Sequence, residues 1–117
     1  MKVGEIWIVP FPFTSLRLFK NRPSLVLHVE PSLLVLSRPS QQDALLLAVS
    51  SVVTNKGPYD IVFPDTDPAF PASGLRQSSV FKIPKLFTLS TSLGLHRLGN
   101  LSPEWFDRVR EAARNAI

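Results

Sequence analysis

Arg22 stands immediately before Pro23, whose ring holds it extended at a loop-to-strand junction. A guanidinium set there can grip a phosphate through two parallel hydrogen bonds. Ser50 and Ser51 close the apolar run ALLLAV, so two hydroxyls fall where a strand should end. Each feature alone has a plainer reading, a surface arginine in one case and strand-end turn formers in the other. Asp65 and Asp67 sit two apart, as metal carboxylates can, but their proline-flanked loop favours turn formation. His28 falls in mid-strand among apolar neighbours and reads as a core or interface histidine. His96 has the chemistry of a general acid or base, with no sequence neighbour to orient it. The serine-nucleophile elbow, phosphate-cradling glycine loops and H-E-x-x-H are all missing. With no cysteine, thiolate metal sites and disulfides are excluded, and two histidines are too few for a histidine-based structural site.

The elements that must position these residues are short. Glu5 to Val9 reads as a strand of β-branched and aromatic residues, stopped by Pro10 and Pro12. Thr14 to Asn21 reads as an exposed loop and Leu25 to Val29 as the next strand. Pro31 to Asp43 is turn-rich around a short apolar stretch, Leu33 to Leu36. Ala44 to Val49 has the continuous apolar character of a strand buried on both faces. Asn55 to Pro58 is a turn, Tyr59 to Phe63 a short strand, and Asp65 to Arg76 a loop by its Pro, Gly and Asp content. Ser79 to Ile83 and Leu95 to Leu98 complete the strands. One helix is expected, at the C-terminus: Ser102 caps it, Pro103 takes its first position, and Glu104 suits the positive end of its dipole. Apolar residues at 105, 106, 109, 112, 113, 116 and 117 form one helical stripe. The expected fold class is therefore mainly β with a C-terminal α-helix.

Composition bounds the partners. A chain of 117 residues is expected to form one domain over 1–117, with a core large enough to need no staples. Thirteen Lys and Arg against nine Asp and Glu give a net charge of +4, which raises the odds of a polyanionic partner without deciding it. No apolar run approaches the roughly 20 residues of a membrane span, and no secretory leader is evident, so a cytoplasmic protein is expected.

Several segments together resemble the PemK/MazF family of toxins. GEIWIVPFPF followed by RPSLVL is similar to that family's opening strand, PFPF turn and R-P strand. LLLAVSS resembles its apolar strand ending in Ser or Thr, and SSVFKIPKLFTLSTSLGLHRLGNLS resembles the segment before its final helix. The resemblance implies an SH3-like β-barrel and a symmetric homodimer. It also implies a sequence-selective endoribonuclease cutting single-stranded RNA, checked by a cognate antitoxin, with no metal and no cofactor. Carried over residue by residue, the catalytic arginine falls on Arg22 and the catalytic hydroxyl on Ser50. Attack by the RNA's own 2′-hydroxyl would leave a 2′,3′-cyclic phosphate and a 5′-hydroxyl end, so the protein need supply only charge stabilisation and proton transfer. Arg17, Lys20 and Arg76 are candidates to follow the RNA backbone, with Asn21, Ser51, Gln77 and Ser79 as further RNA-binding candidates. Pro84 stands where the family has an acidic residue. Two other functions stay open: a toxin of the same fold acting on DNA gyrase, and a non-catalytic SH3-like binding module.

Overall fold

The computed structural model describes residues 1–11, 20–30 and 42–116. The expected strand at Leu33 to Leu36 and the candidate Arg17 lie outside them. In chain order the elements are β1 (Glu5–Phe11), β2 (Lys20–Val29), β3 (Asp43–Ser50), β4 (Ile61–Phe63), α1 (Phe70–Ser73), β5 (Ser79–Ser90), β6 (His96–Asn100) and α2 (Pro103–Asn115). The strands form one antiparallel sheet in the order β4-β5-β3-β2-β1-β6, curled into a half-barrel. This is the expected class, mainly β with a C-terminal helix.

Side-chain alternation along the strands gives the sheet two apolar faces. Ile6, Leu25, Leu47 and Val49 point to one, where they meet Phe63, Phe81 and the α2 residues Val109 and Ala113. Val9, Phe11, Val26, Leu46 and Ala48 point to the other, around Phe87. β3 contributes to both faces, which is why ALLLAV carries no polar alternation. Phe63 is wholly buried, with the rings of Phe70, Phe81 and Trp105 at 5.5, 5.6 and 4.7 Å. Trp105 reaches it from the first turn of α2, where Ser102 Oγ accepts the Trp105 N–H at 3.4 Å. The cap read from sequence is the cap that forms.

Several boundaries differ from expectation for physical reasons. Lys20 and Asn21 belong to β2, because the β1 register extends to the pair Phe11 and Lys20. β5 runs on past Ile83 to Ser90. Pro84 lies between Phe81 and Leu86, where the β3–β5 register shifts, so its missing N–H interrupts no regular ladder. Tyr59 is exposed and precedes β4, whereas Asp60 is buried. The Asp60 carboxylate accepts the Gly57 N–H at 2.8 Å and pairs with Lys82 Nζ at 2.7 Å, tying the turn before β4 to β5. Burial alone would raise its pKa. The Lys82 and backbone hydrogen bonds, with the Lys82 charge, outweigh that and hold it below its ordinary value. His28 is exposed, not core: the β2–β3 register slips between Val26 and His28 and breaks the regular alternation there.

α1 forms inside the expected loop 65–76, where the Pro, Gly and Asp content reads only as turns. Here two backbones approach closely enough to require glycine. A Cβ on Gly74, at φ 74°, would meet the Leu98 carbonyl, and one on Gly99 would meet the backbone of Ala72 and Ser73. α1 is thereby seated against edge strand β6, and residues 75–77 follow directly alongside it.

Candidate functional site

Where residues 74–77, β6 and the ends of β2 and β3 converge, the sheet opens into a cleft of about 540 Å³. That falls within the roughly 300–1,000 Å³ typical of small-molecule and cofactor sites. Ile8, Val49, Leu75 and Leu98 give it an apolar floor, while Asn21, Ser51, Gln77 and His96 bring polar groups. Lys20 and Arg76 bring cations, Arg22 borders the cleft, and no carboxylate is among the described lining residues. The cleft therefore favours an anionic ligand.

Consecutive residues of β6 face opposite ways. Arg97 pairs with Trp7 and His96 with Ile8 in the β1–β6 register. Arg97 Nη1 lies 3.5 Å from Glu5 Oε2, and Glu5 Oε1 accepts the Trp7 indole N–H at 3.0 Å. Burial works to raise the Glu5 pKa. The hydrogen bonds from Trp7 and the Lys2 N–H, with the charges of the N-terminus and Arg97, bring it below its ordinary value. This ionised group holds the far side of the β1–β6 edge and leaves His96 to the cleft.

Six of the RNA-binding candidates gather at the cleft: Lys20, Asn21, Ser51, Arg76, Gln77 and Ser79. Ser79 is buried and donates its hydroxyl to the Gln77 carbonyl at 2.9 Å, so it holds Gln77 in place. Arg22 borders the cleft, but its guanidinium lies over the Phe11 ring, 5.7 Å from the centroid, on the opposite face. Its Nε is buried with no hydrogen-bond partner, as is the hydroxyl of Ser24 two residues on.

Ser50 does not line the cleft. It alternates with Val49 and Ser51, which do, and so shares the face of Ala48. The β2–β3 register ends at the pair Ser24 and Ala48, and Arg22 and Ser50 each lie two residues further along those strands. By alternation both belong to the face of Ala48 and Phe11, at the same end of the sheet. Ser50 Oγ also accepts the Val52 N–H at 3.1 Å, so it performs the turn chemistry that was its plainer reading, with lone-pair capacity to spare. Asp65 and Asp67 are turn residues: the Asp67 carboxylate accepts the Ala69 N–H at 2.8 Å ahead of α1. Among the described residues no three His, Asp or Glu side chains gather as a metal site. Sequence reasoning weighed His96 only as an acid or base and did not place it in this cleft. The available signal was its alternation with Arg97 on an edge strand.

Fold and site define a small curled-sheet protein with a basic cleft, free of carboxylates among the described residues, and with an arginine and a serine on the face behind it. The chain belongs to the PemK-like, MazF-like toxins of type II toxin–antitoxin systems, whose family model matches residues 2–117. Among solved structures it is similar to an endoribonuclease in complex with its cognate antitoxin from a mycobacterial species. The TM-score is 0.67 at 13% identity, covering 99% of this chain and 93% of that one. It is also similar to the Mycobacterium tuberculosis toxin MazF-mt6, with a TM-score of 0.66 at 20% identity over 96% and 94% of the two chains. At such identities these likenesses establish the fold. No curated protein matches the chain. No helix among the described residues is long and apolar enough to cross a membrane.

Proposed function

We propose that this toxin is an endoribonuclease that cuts single-stranded RNA with Arg22 and Ser50 at the scissile phosphate. The observation that carries the reading is the placement of Arg22, in the family's R-P dipeptide, and Ser50 on one sheet face, beside a cleft with cations and no carboxylate among its described lining residues. The 2′-oxygen of the RNA attacks the adjacent phosphorus, and the bond from phosphorus to the 5′-oxygen breaks. A proton leaves the 2′-hydroxyl and one is delivered to the departing 5′-oxygen, giving a 2′,3′-cyclic phosphate and a 5′-hydroxyl end. Arg22 stabilises the charge that builds on the phosphoryl oxygens, and its buried, unpartnered Nε–H is a donor free for that purpose. Ser50 donates its hydroxyl to a second oxygen.

Lys20 and Arg76 follow the RNA backbone, while Asn21, Ser51 and Gln77 contact the nucleotide beside the cut. No metal or cofactor enters this scheme. The active species is a symmetric homodimer acting in the cytoplasm, and a cognate antitoxin occupies the RNA surface. Incubating the purified toxin with a long RNA in excess chelator tests the reaction. Fragments ending in 2′,3′-cyclic phosphate are expected; a strict requirement for a divalent cation, or 3′-hydroxyl ends, overturns it. Light scattering should give about twice the 13.0 kDa chain mass.

A further inference from the structure

His96 opens edge strand β6 and pairs with Ile8, which in turn pairs with Pro23. These three form one cross-strand row on the cleft side of the sheet. The close approach of α1 at Gly99 fixes β6. The His96 imidazole is exposed to the cleft and makes no hydrogen bond, ion pair or ring contact among the described residues. The same holds for the side-chain amides of Asn21 and Gln77, although the Gln77 backbone is fixed by Ser79. Each amide offers a donor and an acceptor in one plane, the pattern a base edge presents in return. A flat ring, two unengaged amides, an apolar floor and a cationic rim together match a planar heteroaromatic group joined to a phosphate. An acidic peptide would satisfy the cations equally. Its carboxylates and backbone amides would bring no aromatic face to the imidazole.

We infer that the cleft receives a single RNA base and that His96 determines which base, by stacking on it while Gln77 and Asn21 read its edge. The inference deepens the endoribonuclease reading and rests on it for the identity of the ligand. Four uncleavable 2′-O-methyl homopentamers, one per base, test it by site-resolved NMR titration of the whole protein. One pentamer should bind in preference to the others and shift the side-chain amide signals of Gln77 and Asn21. His96→Ala should weaken that pentamer roughly 5- to 100-fold, the range for losing one base–aromatic stack, and His96→Phe should recover most of the loss.

Fragments cut from a random RNA pool should lose their preference at one position beside the cut in His96→Ala. Equal binding of all four pentamers, no binding, shifts confined to residues outside the cleft, or an unchanged preference in His96→Ala would each overturn the inference. So would an acidic peptide shifting the Gln77 and Asn21 amide signals where no pentamer does. If the pentamers behave as expected while the wild type cuts no RNA, the base pocket stands and the nuclease reading fails. If RNA is cut normally while the titrations are silent, the reverse holds.

Discussion

The Phe63 interior and the cleft end of the sheet share strands but differ in what their side chains have left to do. Around Phe63, four aromatic rings and the α2 residues Val109 and Ala113 are packed on one another. The nearby ion pair of Asp60 and Lys82 is made within the chain as well, through Asp60 Oδ2, with both partners mostly buried. At the cleft, the side chains of Lys20, Asn21, Arg76, Gln77 and His96 make no hydrogen bond or ion pair among the described residues. Interaction capacity closed within the chain holds the fold, and capacity left open to solvent is available to a ligand. The two regions should therefore separate cleanly under mutation.

The largest expected effect falls on the closed region. Phe63→Ala should lower stability by about 3–5 kcal/mol, the usual range for emptying a buried phenylalanine site, in denaturant unfolding. A loss below about 1 kcal/mol would show that the aromatic cluster is not the centre of the core. Arg22→Ala should do the opposite, cutting RNA about 100-fold more slowly or worse while the unfolding midpoint barely moves. Near-normal cutting by that variant removes Arg22 from the chemistry. A midpoint that drops as far as in Phe63→Ala would erase the distinction between the regions.

Asp60→Ala sharpens the comparison through pH. The Asp60 pKa is depressed on folding, so its stabilisation is present above its unfolded value and is lost as pH falls through the folded one. The variant should be roughly 1–3 kcal/mol less stable than wild type at neutral pH, since it removes the ion pair to Lys82 and the acceptor of the Gly57 N–H. Most of that gap should close in acid, below the ordinary carboxyl value of 3.8. A gap independent of pH would mean packing, not charge, sets the effect. The smallest effect compares two adjacent hydroxyls. Ser50→Ala should slow cutting about 10-fold, as for one hydrogen bond to a charged group. Ser51→Ala should alter RNA binding more than the rate. If the two serines exchange these effects, the reaction lies on the cleft face.

What could be read in advance was whatever depends on near neighbours. Ser102, Pro103 and Glu104 specify a helix start within one turn, and the α2 cap forms accordingly. ALLLAV announces burial on two faces because no polar residue interrupts it. Arg22 is set extended by the proline beside it. Residues far apart in the chain were needed for the remainder. Pro84 reads locally as a stop, yet β5 continues, because a register shift against β3 removes the need for its N–H. His28 reads as a core or interface histidine, and a slip between β2 and β3 breaks the alternation that would have made it core.

The contrast is sharpest at Ser50 and Ser51. Their place at a strand end follows from the preceding six residues. Only pairing with β2 and β5 decides that Ser50 shares a face with Arg22 while Ser51 enters the cleft. Likewise His96 becomes a cleft residue only because α1 seats β6 through Gly74 and Gly99, more than twenty positions apart. Backbone propensity acts over a few residues and fixes which segments are strand or helix. The face each side chain occupies is set by register between segments, which the curled sheet decides as a whole.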